Sequence, residues 1–172
     1  AGESPYMEEP TLELLTRQYD LIVFKHCFPV GLIEEDTGIP DIDSKEKRLE
    51  NYKLQYMALK EKMLQFPDKK FILWTGAANV KDKTTQEYAQ RTRDFFDWVK
   101  KEWDVEGDNI FLWDFYELET EGGIYLTASN ARDQHDSHPA KSFGERVAPL
   151  FCQRIVDVIE TNGAKTTLTG EL

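Results

Sequence analysis

Cysteine, histidine, positive charge and glycine-rich loops are all scarce in this chain of 172 residues, and each shortage excludes something. Two cysteines, Cys27 and Cys152, make no disulfide framework and have no metal-site spacing, so free, buried thiols are expected. No glycine-rich phosphate loop follows any strand-like run, which argues against a nucleotide-binding or response-regulator domain. No apolar run approaches the roughly 20 residues of a membrane span. Lys and Arg number 21 against 32 Asp and Glu, and the net charge of −11 should repel nucleic acid and anionic lipid. Neither nucleic acid nor membrane is expected as a partner. The sequence has no signal peptide. Ala1 fits a mature terminus, with a secreted or periplasmic protein, or simply the first residue written, so the compartment stays open. No internal repeat or low-complexity segment stands out.

What is present reads as one soluble domain with a real core, 40% apolar and 12% aromatic. Glu9-Pro10-Thr11 starts a short helix with Leu12 and Leu15 on its inner side. Residues 19–26 contain the continuous run Leu21-Ile22-Val23-Phe24, the pattern of a parallel strand covered on both faces. It ends in Lys25, His26, Cys27, Phe28 and Pro29, and 30–42 is a loop. Asp43 and Glu46 form a capping box for a helix over 44–65, whose inner face is Leu49, Tyr52, Tyr56, Leu59 and Met63. Residues 70–75 form a second strand, with Gly76 to Asn79 as its turn. Thr84 opens a helix carrying Tyr88, Thr92, Phe95, Val99 and Trp103 on one face. Residues 109–113 form a third strand and 117–135 are irregular. Pro139 leads a last long helix in which Pro149 should make a bend or break. Residues 161–172 have the composition of a loose tail.

Strands alternating with helices of this length imply right-handed crossovers and a parallel sheet between helical layers. The fold class expected is α/β, a three-layer α/β/α sandwich. Ligands of such sheets bind beyond the carboxyl ends of the strands. The stretch Asp133-Gln134-His135-Asp136-Ser137-His138-Pro139 falls at such a junction and holds two of the three histidines. An imidazole beside a carboxylate suits proton transfer, because the carboxylate fixes the tautomer and stabilises the imidazolium. The competing reading is a polar loop whose Asp and Ser cap the next helix.

Three stretches together resemble the SGNH (GDSL-type) hydrolases, flavodoxin-like esterases and acylhydrolases. Tyr19-Asp20-Leu21-Ile22-Val23 and Phe71-Ile72-Leu73-Trp74-Thr75 are similar to two of the family's strands. Asp136-Ser137-His138-Pro139, with Phe143-Gly144 and the amphipathic last helix, is similar to its final block. The likeness covers residues 1–160 as a single domain. It implies His138 as general base, oriented by Asp136 with Asp133 in reserve. The family places the acid three residues before the histidine, where this chain has His135. The resemblance implies that the first strand, its serine block and the first helix are missing. Gly2-Glu3-Ser4 then matches a second block, with Gly2 as an oxyanion donor and Ser4 as the candidate nucleophile left in the chain. Lys25-His26-Cys27-Phe28 replaces the block that carries the oxyanion asparagine, for which Asn79 is a distant substitute.

Lys25 and His26 fit a substrate or oxyanion contact, or a strand end with Lys25 paired to an acid. Cys27 fits a substitute nucleophile or an inert buried thiol. The histidines and aspartates of 133–138 match no zinc spacing, so no metal and no cofactor is expected. Two functions remain. One is an esterase on acylated carbohydrate or another small acyl ester, its serine being Ser4 or one on an upstream segment. The other is a catalytically silent binding or interaction domain of the same ancestry. A missing first strand would leave a bare sheet edge for a dimer partner or an associated N-terminal segment to cover.

Overall fold

The computed structural model describes residue 2 and residues 4–172. Its elements in chain order are α1 Leu12–Gln18, β1 Leu21–Lys25, α2 Leu49–Met63, β2 Lys70–Trp74, α3 Gln86–Trp98, β3 Ile110–Trp113, α4 Phe115–Thr120, β4 Ala131–Asp133, β5 Asp136–Pro139 and α5 Lys141–Thr161. The chain is α/β as its sequence implies. β1, β2 and β3 form a parallel sheet in that order, with Lys25 beside Trp74 and Trp74 beside Trp113 at one end. Because all three strands run the same way, that end is the carboxyl edge of the whole sheet.

Side chains alternate between the two faces of a strand, and the core divides accordingly. Ile22, Phe71, Leu73 and Leu112 join a cluster with Tyr56 of α2 and Phe95 of α3. Ile72 and Trp113 join a second cluster with Phe143, Val147 and Val158 of α5. Burying an apolar side chain of this size contributes about 1.5–3 kcal/mol. The alternation therefore holds the sheet against two sets of helices at once.

Several expectations fail locally, each for a visible reason. The helix expected over 44–65 begins only at Leu49. The carboxylate of Glu50 accepts the Thr37 and Gly38 N–H groups at 2.7 and 2.9 Å, and Asn51 accepts that of Asp41, so the loop ahead folds over the first turn. Within 117–135, expected as irregular, lie the end of α4 and all of β4. α4 is capped by Asp114, whose carboxylate accepts the Glu117 N–H. α3 continues into a wider turn at Val99–Trp103, where the Trp103 indole donates to the Tyr56 carbonyl at 2.8 Å. α5 runs unbroken through Pro149, which faces solvent. The cysteines are free but exposed, not buried, since Cys27 leaves the strand and Cys152 lies on the outer side of α5.

The segment after α5, expected as a loose tail, carries a dense set of bonds. Asp157 accepts the N–H groups of Lys165 and Thr166, and Arg154 donates to the Gly163 carbonyl. The tail then runs beside β3, where the Asp114 N–H donates to the Leu168 carbonyl at 2.8 Å.

Candidate functional site

β4 and β5 form a two-stranded antiparallel hairpin pairing Ala131 with Pro139 and Asp133 with Asp136. It rests on the loop after β2. The Val80 N–H donates to Ser137 Oγ at 3.1 Å, and the His135 ring is bonded to Asp82. The Ala140 N–H reaches the Asn130 carbonyl at 2.7 Å. These bonds hold the hairpin over the carboxyl edge of the sheet.

On β5, one Asp136 oxygen accepts the His138 N–H at 2.9 Å and meets its Nδ1 at 2.6 Å. An aspartate reaching its own backbone two residues on is a common local turn, and here the turn also brings the imidazole to the acid. The other oxygen accepts from Arg132 at 3.1 Å. Bonds from the His138 N–H and then its ring hold the Asp136 carboxyl below the ordinary aspartate range. The His138 side chain is 60% exposed and meets the Phe28 ring edge-on at 5.3 Å. With Nδ1 engaged by the acid, Nε2 is the nitrogen left for a reacting proton. Asp133 serves the turn, accepting the His135 N–H at 2.7 Å.

The other candidates scatter. Lys25 lays its ammonium over the Trp74 ring at 5.2 Å and the Phe115 ring at 5.7 Å. His26 turns to the opposite face, against Tyr52 at 4.8 Å, with Nδ1 buried and unpartnered; burial lowers its pKa. The Asn79 amide donates to the Gly31 carbonyl at 3.1 Å, tying two loops together. The Gly2 carbonyl accepts the Thr11 hydroxyl at 2.5 Å, and Gly2 lies against Glu13. Glu13 pairs with Lys62 in the last turn of α2. Since α2 returns the chain from the end of β1 to the start of β2, Gly2 stands at the amino edge of the sheet. Ser4 is exposed two residues further on. The structure thus brings His138 and Asp136 together beside Phe28, and places Gly2 and Ser4 at the far edge.

One residue under the site carries only a weak signal in the sequence. Glu119 of α4 is 0% exposed. One of its oxygens accepts the Ala78 N–H at 2.6 Å and the other has no partner. Burial pushes its pKa up to about 8, against the Ala78 bond and the nearby Lys25. A Cβ on Gly76, at φ +112°, would stand 2.9 Å from this carboxyl and 3.2 Å from the Phe115 ring, so only glycine fits above it. The Glu119 carboxyl therefore supports the loop whose Val80 holds Ser137. Its signal lay in spacing, four residues after Phe115 and three after Tyr116, on the face those aromatics bury.

Among the described residues no three of His, Cys, Asp and Glu converge as metal ligands. No helix among them is long and apolar enough to cross a membrane. Compared with protein-family models, curated proteins and solved structures, the chain matches none.

Proposed function

We propose that this chain is the domain of an SGNH-type ester hydrolase that supplies the proton-transfer machinery. The observation that carries the reading is the 2.6 Å bond between His138 Nδ1 and Asp136, made by an exposed ring over the carboxyl edge of a parallel sheet. In this reading His138 Nε2 takes the proton of a serine hydroxyl as it attacks the acyl carbon. His138 then returns the proton to the leaving alcohol, while Asp136 steadies the imidazolium. The two core clusters, one per face of the sheet, support a three-layer α/β/α sandwich of flavodoxin type. The substrate in this reading is the one the resemblance implies, an acylated carbohydrate or another small acyl ester. Ser4 lies toward the opposite edge from His138, so in this reading Ser4 of the same copy is not the nucleophile. That same placement favours a second reading, a catalytically silent binding domain that keeps the dyad but no nucleophile.

Labelling the native protein with a fluorophosphonate, followed by peptide mapping, separates the two. The hydrolase reading expects an adduct on one serine, lost in His138→Ala. An unlabelled protein that still binds acylated oligosaccharide would overturn it and leave the silent domain.

A further inference from the structure

A buried aromatic residue with a polar tip usually bonds that tip to the protein. The Trp103 indole donates to the Tyr56 carbonyl at 2.8 Å, the Trp113 indole to the Thr169 carbonyl at 3.2 Å, and the Tyr116 hydroxyl to the Ile124 carbonyl at 3.3 Å. At the carboxyl end of β1 three rings stand together whose tips have no such bond. His26 meets the Tyr52 ring edge-on at 4.8 Å and lies 6.0 Å from the Tyr56 ring. Both tyrosines are 7% exposed, and neither hydroxyl has a partner among the described residues. His26 Nδ1 is sealed and unpartnered. Its Nε2 and the two hydroxyls are equally unpartnered, but they reach the surface.

His26 and Tyr56 line a cavity of about 280 Å³, together with Phe24, Lys25, Gln55 and Leu59. The cavity offers no unengaged charge. Lys25 sends its ammonium to the other face of the sheet, over Trp74 and Phe115. Glu34, whose charge acts on Tyr52, is paired with Arg48 at 3.7 Å. Burial lowers the pKa of His26, which keeps the ring neutral. It also pushes Tyr52 up to about 12, with help from Glu34, and raises Tyr56 as well. What remains is a set of neutral donors and acceptors. A tyrosine hydroxyl does both, and a neutral imidazole nitrogen does one or the other. Gln55 gives its amide hydrogens to the Ile42 and Ser44 carbonyls at 3.1 and 2.9 Å, so its oxygen is left as an acceptor. Phe24 and Leu59 supply the apolar wall.

We propose that this cavity binds a small neutral polyhydroxy molecule, a polyol or one sugar unit. A hydroxyl donates and accepts at once, which is what a mixed set of neutral groups calls for. An ammonium or a carboxylate would lose its water and meet no counter-charge. A wholly apolar ligand would seal the Tyr56 hydroxyl and His26 Nε2 without partners. The C–H groups of a polyol instead lie against Phe24 and Leu59 and leave its hydroxyls to the polar side. The volume is just below the roughly 300–1,000 Å³ of pockets for drug-sized ligands, so one ring or a short chain is the size that fits. His26 comes two residues before the Phe28 that touches His138, so the cavity shares the carboxyl edge with the dyad but uses none of its atoms. A neutral ligand does not feel the net charge of −11, and its binding should be indifferent to salt.

The inference stands apart from the hydrolase reading and is tested by binding, with no assay of activity. The probes are glucose, galactose, mannose, xylose, myo-inositol, glycerol and cyclohexanol, each titrated to ~100 mM while NMR follows the histidine and tyrosine side chains. At least one polyol should give saturable shifts at His26 and Tyr56, with a dissociation constant on the order of millimolar. The pyranoses, myo-inositol and glycerol tell a sugar from a carbocyclic or an open-chain polyol. Cyclohexanol, a ring with one hydroxyl, should give no saturable shift. Tyr56→Phe keeps the ring and removes the hydroxyl, so it should weaken binding about fivefold without lowering the melting temperature. Tyr19→Phe, on an exposed side chain, should leave binding unchanged. No shift from any of the polyols overturns the inference. Cyclohexanol binding as well as the polyols do overturns it, because the cavity is then an apolar slot. Polyol binding indifferent to Tyr56→Phe overturns it too, because the ligand then sits elsewhere.

Discussion

Asp157 and Glu119 are both buried acids, yet the fold treats them in opposite ways. Asp157 lies beneath the tail that seals β3. Burial pushes its pKa up, but bonds from Thr161, from the Thr166 hydroxyl and N–H, and from the Lys165 N–H outweigh burial and hold it far below the usual range. Glu119 lies beneath the loop that carries the site. It receives one backbone bond, keeps one oxygen unpartnered, and is held protonated to about pH 8. Several donors converge on Asp157 where the sheet is closed, and one reaches Glu119 beneath the candidate site. A buried polar atom without a partner costs about 1–3 kcal/mol. The site end of the molecule is thus the more expensively built, and the tail end the more tightly fastened.

Removing Arg154 should cost most. It is 4% exposed and bonds the Leu112, Gly163 and Thr166 carbonyls while pairing with Asp157 at 3.8 Å. Arg154→Ala leaves these buried carbonyls without their donor and takes the nearest cation from Asp157, and a loss of about 3–5 kcal/mol in urea unfolding is expected. Asp157→Asn keeps the shape and removes the charge, so about 2 kcal/mol is expected at neutral pH. Its signature is the acid limb. A carboxyl with a depressed folded pKa contributes stability above its unfolded value, near 3.8, and loses it as pH falls toward the folded value. Wild-type protein should weaken steeply below about pH 4, and Asp157→Asn less so. An equal acid slope in both proteins would remove Asp157 from the account.

Glu119 should show the reverse sign. Between its ordinary 4.5 and the folded value of about 8, the folded chain keeps a proton that the unfolded chain has lost. Stability therefore falls as pH rises across that window. Glu119→Gln cannot ionise, so it should match wild type below about pH 4.5 and exceed it by a few kcal/mol by pH 8. Parallel pH–stability curves for the two proteins would show that Glu119 is not held protonated.

Much of this architecture was legible in the sequence because buried parallel strands are spelled as unbroken apolar runs. Residues 21–24, 71–74 and 110–113 announce the three strands, and the helix-forming stretches between them require parallel crossovers. The short hairpin was not legible. Asp136-Ser137-His138-Pro139 has no strand-like composition, and its pairing depends on Val80 and Asn130, which are distant in sequence. The start of α2 was misplaced because a capping box at Asp43 and Glu46 is a local signal, whereas the bond from Glu50 to residues 37 and 38 is not. His138 and Asp136 could be singled out as neighbours two residues apart. The far-edge position of Ser4 follows from Gly2, Glu13 and Lys62 meeting at the end of α2, a contact across the chain that no motif encodes.

Asp136 sharpens the comparison from the other side, as an acid with good bonds but only partial burial. Its partners are the backbone and ring of His138 and the exposed Arg132, all within six residues of it in sequence. Asp136→Asn should leave the melting temperature at neutral pH close to wild type and flatten the acid limb only slightly, because solvent can replace most of what those bonds supply at a site this close to the surface. Under the hydrolase reading the same change should cut turnover of an acyl ester by about 10²–10⁴-fold, since the imidazolium loses its counter-charge and the ring its fixed tautomer. A variant both unfolded and inactive would make Asp136 part of the scaffold. A variant stable and undiminished in ester cleavage would show that His138 works without it. Stability intact and turnover lost is the outcome that separates an acid placed for chemistry from Asp157 and Glu119, which are placed for the fold.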